Sequence, residues 1–407
     1  MTTHLSTASW HAHDGLPALA TALAAVPGNP RIVGGAVRDT LLGIAVADID
    51  LATPLPPEAV MERVAAAGFK AVPTGIAHGT ITAVLPGGPV EVTTLRRDVT
   101  TDGRHAVVAF TDDWREDAGR RDFTMNALYA DPVTGELYDY FDGLTDLHAG
   151  RVRFIGDPRQ RIAEDHLRIL RFFRFHARFG DAIDDAGLEA CTQRANDLMA
   201  LSRERIASEL LKLLVTAGAV PVLGLMVDRG ILRAVLPEID GDGVARLALL
   251  AGREAEAGMA ADAVRRLAAL VPAASAESVG ARLKLSNTDR KRLVAATQGP
   301  GEEGARALAY RHGPTLAIDR LLLSGADPAA LAGWTPPTLP IGGGALVEQG
   351  LRKGPQVAAV LRAIETQWIA EGFPPVPRVL ELADDAVAQA LRSASIDQAA
   401  AASSGRA

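Results

Sequence analysis

A single cysteine, Cys191, stands in 407 residues. No disulfide can close within the chain, and no zinc site can be built on cysteine pairs. Such poverty in cysteine suits a reducing compartment, and a cytoplasmic location is the expectation. No uninterrupted apolar run is long enough to span a bilayer. The opening residues, MTTHLSTASWHAHDG, have neither a basic n-region nor an apolar h-region, so they do not read as a signal peptide. Nor is there a fixed-period repeat. Overall basicity is missing as well: the net charge is -7, which argues weakly against a nucleic-acid partner until its distribution is considered.

What is present is the composition of an ordinary globular protein, 48% hydrophobic and 22% charged, at a length that allows two or more domains. The charge is uneven. Between Arg151 and Arg178 eight arginines stand against three acidic residues, Asp157, Glu164 and Asp165. Leu16 to Val26 reads as an Ala/Leu helix in an N-terminal helical extension, residues 1–28. Residues 29–150 carry the β signals and form an α/β head. RIV and DIDLAT are short strands, and GTITAVLPGGPVEVTTLR is two strands joined at Pro86-Gly87-Gly88-Pro89. A helical neck covers residues 151–215. There DPRQRIAEDHLRILRFFRFHARFG reads as one helix stopping at Gly180, and Ser202 is the N-cap of SRERIASELLKLL. Residues 216–395 are an Ala/Leu-rich helical body and tail, and 396–407, small and polar, are expected to be disordered.

The stretch RIVGGAVRDTLLGIAVADIDLAT, Arg31 to Thr53, suggests phosphate chemistry. Gly34 and Gly35 form a strand-to-helix turn that lets backbone approach a ligand, and the new helix offers free N–H groups to a phosphate. Arg38 on its first turn adds a charge-assisted bond, and Asp39 orients Arg38 or caps locally. Asp48 and Asp50 are two apart in a β-type run, so both carboxylates share one face while Ile49 and Leu51 face the core. Two like charges so close call for a cation, and oxygen ligands suit Mg²⁺. Glu91, between Val90 and Val92 on the second hairpin strand, is the candidate third carboxylate.

VGGAVRD…DID, RRDFTMNAL (Arg120 to Leu128) and EDHLRILRFFRF (Glu164 to Phe175) follow in that order. Together they resemble the signature motifs of class II tRNA nucleotidyltransferases, which comprise CCA-adding enzymes and bacterial poly(A) polymerases. The resemblance is strong from residue 31 to about 215 and faint beyond. It implies an α+β fold: a nucleotidyltransferase head with a small mixed sheet and helices, then an all-α neck, body and tail. It implies further that Gly35 and Arg38 bind the triphosphate. Asp48 and Asp50 hold the catalytic Mg²⁺ ions. Arg120, Arg121 and Asp122 contact ribose and phosphates, supported by Asn126. Asp165, Arg168, Arg171 and Arg174 meet the incoming nucleotide, with Asp165 and Arg168 reading its base. The partners it implies are tRNA, CTP and ATP, with no membrane and no DNA.

Chemistry agrees with the base-reading pair. Cytosine offers an N4 donor beside an N3 acceptor, and adenine an N6 donor beside N1. A carboxylate next to a guanidinium complements both. Uracil O4 and guanine O6 would instead face the carboxylate and be repelled. Asp165 and Arg168, read as i and i+3 on one helix, are neighbours. Arg174, nine residues from Asp165, would face nearly the opposite way on an ideal helix. Arg171 and Arg174 are also open to pairing with carboxylates of the head. The segment RRDVTTDGRHAVVAFTDDWREDAG occupies the place of a family loop that is often Tyr-rich; it has nearly full length and no Tyr. Full length favours complete CCA addition. After His176 only His312 remains, which leaves no HD phosphohydrolase site. The alternatives that stay open are an A-adding enzyme or poly(A) polymerase, and an inactive RNA-binding protein on the same fold.

Overall fold

The structure is a computed structural model that describes residue 5 and residues 8–24, 30–102 and 105–404, with side chains described outside 98–108 and 394–404. The chain divides into two compact units. The first is Met1–Leu247 with Ala261–Ala263 and Ser278–Leu285; the second is Ala248–Ala260, Val264–Glu277 and Ser286–Ala407.

The first unit begins with a 3₁₀ turn, Ser9–Ala12, and helix α1, Leu16–Leu23. The last residues of the helix expected over 16–26 lie outside the described residues. Strand β1, Arg31–Val33, turns at Gly34 into α2, Gly35–Leu41. Then come β2 (Asp50–Thr53), α3 (Pro57–Ala66), β3 (Lys70–Gly75), and the hairpin β4 (Thr80–Leu85) and β5 (Gly88–Thr94). Strands β6 (Arg96–Asp102) and β7 (His105–Phe110) form a separate two-stranded ribbon. This ribbon occupies the segment read from sequence as a loop. The run AVVAF has strand propensity, and Asp102-Gly103 is a hairpin signal between two β-rich runs. After α4 (Trp114–Gly119), strands β8 (Leu128–Ala130) and β9 (Leu137–Asp139) complete a seven-stranded sheet, followed by α5 (Gly143–His148).

Its order is β3-β4-β5-β2-β1-β8-β9. Only β2 and β5 pair in parallel, and their register sets Asp50 opposite Glu91. Leu51, Val90 and Val92 are fully buried, so the alternation read from the sequence turns Asp50 and Glu91 to the other face.

The neck differs from its expected form. The single helix is two: α6, Pro158–Glu164, and α7, Leu167–Phe179. Asp165 lies in the break with extended backbone, φ -150° and ψ 106°. Helices α8 (Asp185–Gln193) and α9 (Arg203–Leu214) follow, with Ser202 preceding α9 as expected. Phenylalanines seat α7. Phe154 stacks on Phe172 at 5.5 Å, and Phe123, at the centre of the RRDFTMNAL segment, lies 4.9 Å from Phe154 and 5.3 Å from Phe175. All four are buried, and aromatic pairs of this kind add roughly 0.5–1.5 kcal/mol each beyond area burial.

The second unit is helical. One of its cores gathers Leu346, Val360, Ile364, Trp368, Val379 and Ala383. Another feature is a buried charge cluster. Glu254 accepts from Arg265 Nε at 2.7 Å and Arg266 Nε at 2.8 Å. Asp319 accepts from Arg292 at 2.7 and 3.0 Å and faces Arg265 Nη1 at 3.5 Å. Asp319 is 0% exposed and Glu254 1%. The last helix, Val376–Ser404, covers the described part of the stretch 396–407 expected to be disordered; the alanines there have the highest helix propensity of any residue.

Candidate active site

The turn after β1 is made by Gly34, whose φ of 70° lies in the left-handed region. A Cβ there would meet Arg121 Nη1 at an ordinary contact distance of 3.4 Å, so it is the turn that calls for glycine. One turn on, Arg38 is buried. Its Nε donates to Asp39 Oδ1 at 2.8 Å and its Nη1 to Asn126 Oδ1 at 2.6 Å. Phe175 and Phe179 of α7 lie under its guanidinium, with ring centroids at 5.3 and 4.4 Å. Burial pulls the Arg38 pKa down, against the counter-effect of Asp39.

From Arg38 a chain of bonds leads to the neck. Asn126 Nδ2 donates to Asp122 Oδ1 at 3.0 Å. Asp122 Oδ2 in turn accepts from Arg171 Nε at 2.7 Å and Nη2 at 2.5 Å. Burial alone would raise the Asp122 pKa, but the Arg171 guanidinium overrides it and holds the carboxyl below its ordinary range. The head carboxylate open to Arg171 is therefore Asp122. Arg174 pairs instead with a residue of the neck: its Nε donates to Glu209 Oε2 on α9 at 2.5 Å. Glu209 is 5% exposed and also faces Arg171 Nη1 at 3.9 Å.

Asp117 on α4 is the second buried anchor. Its Oδ1 accepts from Arg120 Nε at 2.9 Å and from the backbone N–H of Arg96 at 3.3 Å. Its Oδ2 accepts from the Tyr129 hydroxyl at 2.7 Å and Arg121 Nη2 at 3.3 Å. The pKa of Asp117 is lowered: Arg121 and Arg120 outweigh its desolvation. Tyr129, buried beside that carboxylate, is raised.

A cavity of about 450 Å³ opens among these groups. Gly34, Gly35, Arg38 and Asp50 line one part; Arg120, Arg121, Asp122 and Asn126 another; Asp165, Arg168, Arg171, Arg174 and Phe175 the rest. Twelve of the residues singled out from the sequence are thus brought together. Arg174 is one of them, contrary to its expected position on the far side. The break at Asp165 resets the helical phase, so a count of nine residues does not apply across it. The same break overturns the i, i+3 helical neighbourhood of Asp165 and Arg168. Arg168 donates to Glu164 Oε2 at 2.7 Å and to the carbonyls of Arg161 at 3.0 Å and Arg120 at 2.9 Å.

Three singled-out residues do not line this cavity: Asp39, Asp48 and Glu91. Asp39 holds Arg38, as read. Asp48 precedes β2 on an exposed segment and lines a separate depression of about 380 Å³ with Trp10, His13 and Gly87. Ile49 is half-buried rather than core. Glu91 is exposed beside Asp50. Among the described residues no three His, Cys, Asp or Glu side chains converge as a ready ligand set. The three carboxylates nevertheless feel one another. Asp50 has a raised pKa, first from burial, then from Glu91 and Asp48, with Arg121 partly offsetting them.

Sequence reasoning passed over Asp117, Glu164 and Glu209, which hold the cavity's arginines. Asp117 stands four residues before Arg121, the helical spacing of an ion pair; Glu164 and Arg168 are also four apart, but they meet across the break rather than along one helix. No local signal marks Glu209.

Comparison with known proteins completes the description. Residues 30–153 match the family described as Poly A polymerase head domain, and residues 182–242 that described as Probable RNA and SrmB- binding site of polymerase A. The mitochondrial CCA tRNA nucleotidyltransferase 1 of Mus musculus is 36% identical over 384 residues, covering 88% of this chain and 87% of that protein. The CCA-adding enzyme of Levilactobacillus brevis is 42% identical over 196 residues, 47% of each chain. The crystal structure of the Bacillus stearothermophilus CCA-adding enzyme in complex with CTP superposes with a TM-score of 0.67 at 29% identity, covering 84% of this chain and 89% of that one. With these motifs gathered round one cavity, and with a relative matched over nearly its whole length, the chain belongs to the class II tRNA nucleotidyltransferase and poly(A) polymerase family.

Proposed function

We propose that this chain is a CCA-adding tRNA nucleotidyltransferase, which extends the 3′ end of tRNA from CTP and ATP without a nucleic-acid template and releases pyrophosphate. The observation that carries the reading is one cavity with a phosphate-binding turn, the Asp50 carboxylate and an Asp-Arg pair on its walls. Arg38 and the α2 N-terminus take the triphosphate, with Arg120, Arg121, Arg171 and Arg174 supplying positive charge toward ribose and phosphates. Asp165 and Arg168 take the base. The tRNA 3′-hydroxyl attacks the α-phosphate in line. Positioning and fixed charge do most of the work, since these arginines are already braced by Asp39, Asp117, Asp122 and Glu209 and need little reorganisation.

The carboxylates Asp48, Asp50 and Glu91 fit a hard divalent cation. They offer only oxygen donors, and positive charge would relieve both the burial and the neighbouring carboxylates that raise Asp50. We propose Mg²⁺, which these three groups would hold. Bound there, it would supply charge stabilisation and favour the ionised hydroxyl. We also propose a cytoplasmic location, on the cysteine count; among the described residues no helix is long and apolar enough to cross a membrane.

The deciding experiment incubates the pure protein with tRNA lacking CCA, Mg²⁺, and each NTP singly or together, then sequences the 3′ ends. CCA ends from CTP plus ATP are expected. Tails of A alone would make the chain an A-adding enzyme or poly(A) polymerase. Unchanged ends would leave an RNA-binding protein.

A further inference from the structure

Asp165 and Arg168 carry opposite charges three residues apart, and nothing would be simpler than for them to pair. They do not. Both Asp165 oxygens accept from Arg205 Nη2 on α9, at 3.0 and 2.8 Å, and Oδ1 also accepts from the Leu167 N–H at 3.1 Å. Arg168 is committed elsewhere, to Glu164 and to two backbone carbonyls. Arg205 is not among the residues that line the cavity, and it stands in the SRERIASELL segment, for which the sequence suggested no contact with the nucleotide.

The break between α6 and α7 makes this contact matter. On a continuous helix the backbone would fix where Asp165 points. In extended backbone between two helices, the carboxylate depends on its own tethers. The Leu167 N–H is one, and Arg205 is the other and the charged one. Without Arg205, no charged tether holds the carboxylate back from the guanidiniums that share the cavity wall with it, Arg168 and Arg171. A carboxylate folded onto Arg168 offers no acceptor to N4 of cytosine or N6 of adenine, and it occupies the donors meant for N3 or N1.

We infer that Arg205 is a specificity-determining positioning residue: it holds the Asp165 carboxylate away from Arg168, so that its remaining lone pairs face the base and are not spent on that guanidinium. The inference rests on the base-reading role proposed above. It differs from a general bracing role in what it predicts. Glu209, one helical turn along α9, braces Arg174 and Arg171, so its loss should weaken all four nucleotides alike. Loss of Arg205 should instead change the ratios between them.

The test measures kcat/KM for CTP, ATP, UTP and GTP on tRNA lacking CCA, and the Kd of CTP and UTP by calorimetry without tRNA. Arg205→Ala should lower the preference for CTP over UTP, and for ATP over GTP, by about tenfold, the worth of one charge-assisted hydrogen bond. Arg205→Lys keeps a charged donor and should recover most of the preference. Arg205→Gln retains length and packing, and serves if the alanine variant folds poorly by circular dichroism. Unchanged ratios, or an equal loss for all four nucleotides, would overturn the inference. The binding arm separates it from the proposed activity. A wild-type protein that prefers CTP yet extends no tRNA refutes the activity, and Arg205 is then judged on the Kd ratio. A wild-type protein that binds CTP and UTP alike overturns base reading by Asp165 and this inference together.

Discussion

Two arginine clusters of this protein invite comparison. In the first unit, six arginines line the cavity against three carboxylates, Asp50, Asp122 and Asp165. In the second unit, Arg265, Arg266 and Arg292 meet Glu254 and Asp319, and both carboxylates are shut away from solvent. The bonds look alike: guanidinium to carboxylate at 2.5–2.8 Å. What differs is the opening. The cavity's arginines are held from behind by Asp39, Asp117, Glu164 and Glu209 as well as by Asp122, yet they line an open space that a polyanion can enter. The closed cluster shuts its carboxylates away and joins helices. Counting ion pairs alone would not separate a binding site from a structural joint.

The largest expected effect breaks the comparison on the cavity side. Asp50→Ala should reduce nucleotide addition by about a thousandfold or more, since cation-assisted charge stabilisation is worth several kcal/mol. Thermal stability and tRNA affinity should hardly change. Near-wild-type turnover of purified Asp50→Ala would remove Asp50 from the chemistry. The matching variant on the closed side is Asp319→Ala. It removes the fully buried carboxylate that Arg292 and Arg265 face and should cost roughly 3–5 kcal/mol, seen as an earlier urea transition, with specific activity retained by the protein still folded at low temperature. An unshifted transition would show that the cluster is not a joint.

Smaller effects sharpen the contrast within the cavity. Asp165→Ala should lower selectivity against UTP by roughly one to two orders of magnitude, taking roughly 1–3 kcal/mol for bidentate base readout. A uniform loss over the four nucleotides would mean that Asp165 holds the chain rather than reads the base. The smallest effect is a pH dependence. Asp117 and Asp122 have folded-state pKa values below the ordinary range. The stability they confer is therefore present above about pH 4 and is lost as pH falls through their folded values. Asp122→Asn should be less stable than the wild type at pH 7 in urea melts, and the gap should narrow by pH 3. A gap that stays constant with pH would contradict the lowered Asp122 pKa.

Much of this was legible in the sequence because it is local. Gly34-Gly35 punctuates a strand and a helix, and the Pro-Gly-Gly-Pro hairpin and Ser202 likewise carry their own signals. The alternation about Glu91 placed it on the right face, and the parallel register brought it to Asp50. The rest depends on partners distant in sequence. EDHLR contains no proline or glycine, so nothing announces the break at Asp165. Its carboxylate finds the Leu167 N–H and, forty residues away, Arg205. Glu209 is 35 residues from Arg174, and its role exists only once α7 and α9 pack. Asp48 illustrates the opposite limit: period-2 reasoning assumed a strand that begins only at Asp50.

The seating of α7 has a consequence for how such a protein can change. Three arginines of the cavity ride on one helix whose angle about its axis is fixed by Phe172 and Phe175 on one side and by the Arg171–Asp122 bond on another. Each residue of helix turns about 100°. Deleting Ile169 or Leu170 would leave a helix of unaltered charge, yet it would turn Arg168 by about 100° relative to Arg171, Arg174 and the phenylalanines. Substitutions along α7 can be tried one at a time, whereas a change of spacing must be answered at every contact at once. If these residues choose the nucleotide as proposed, that choice is written as a phase, and a phase tolerates no small errors of length.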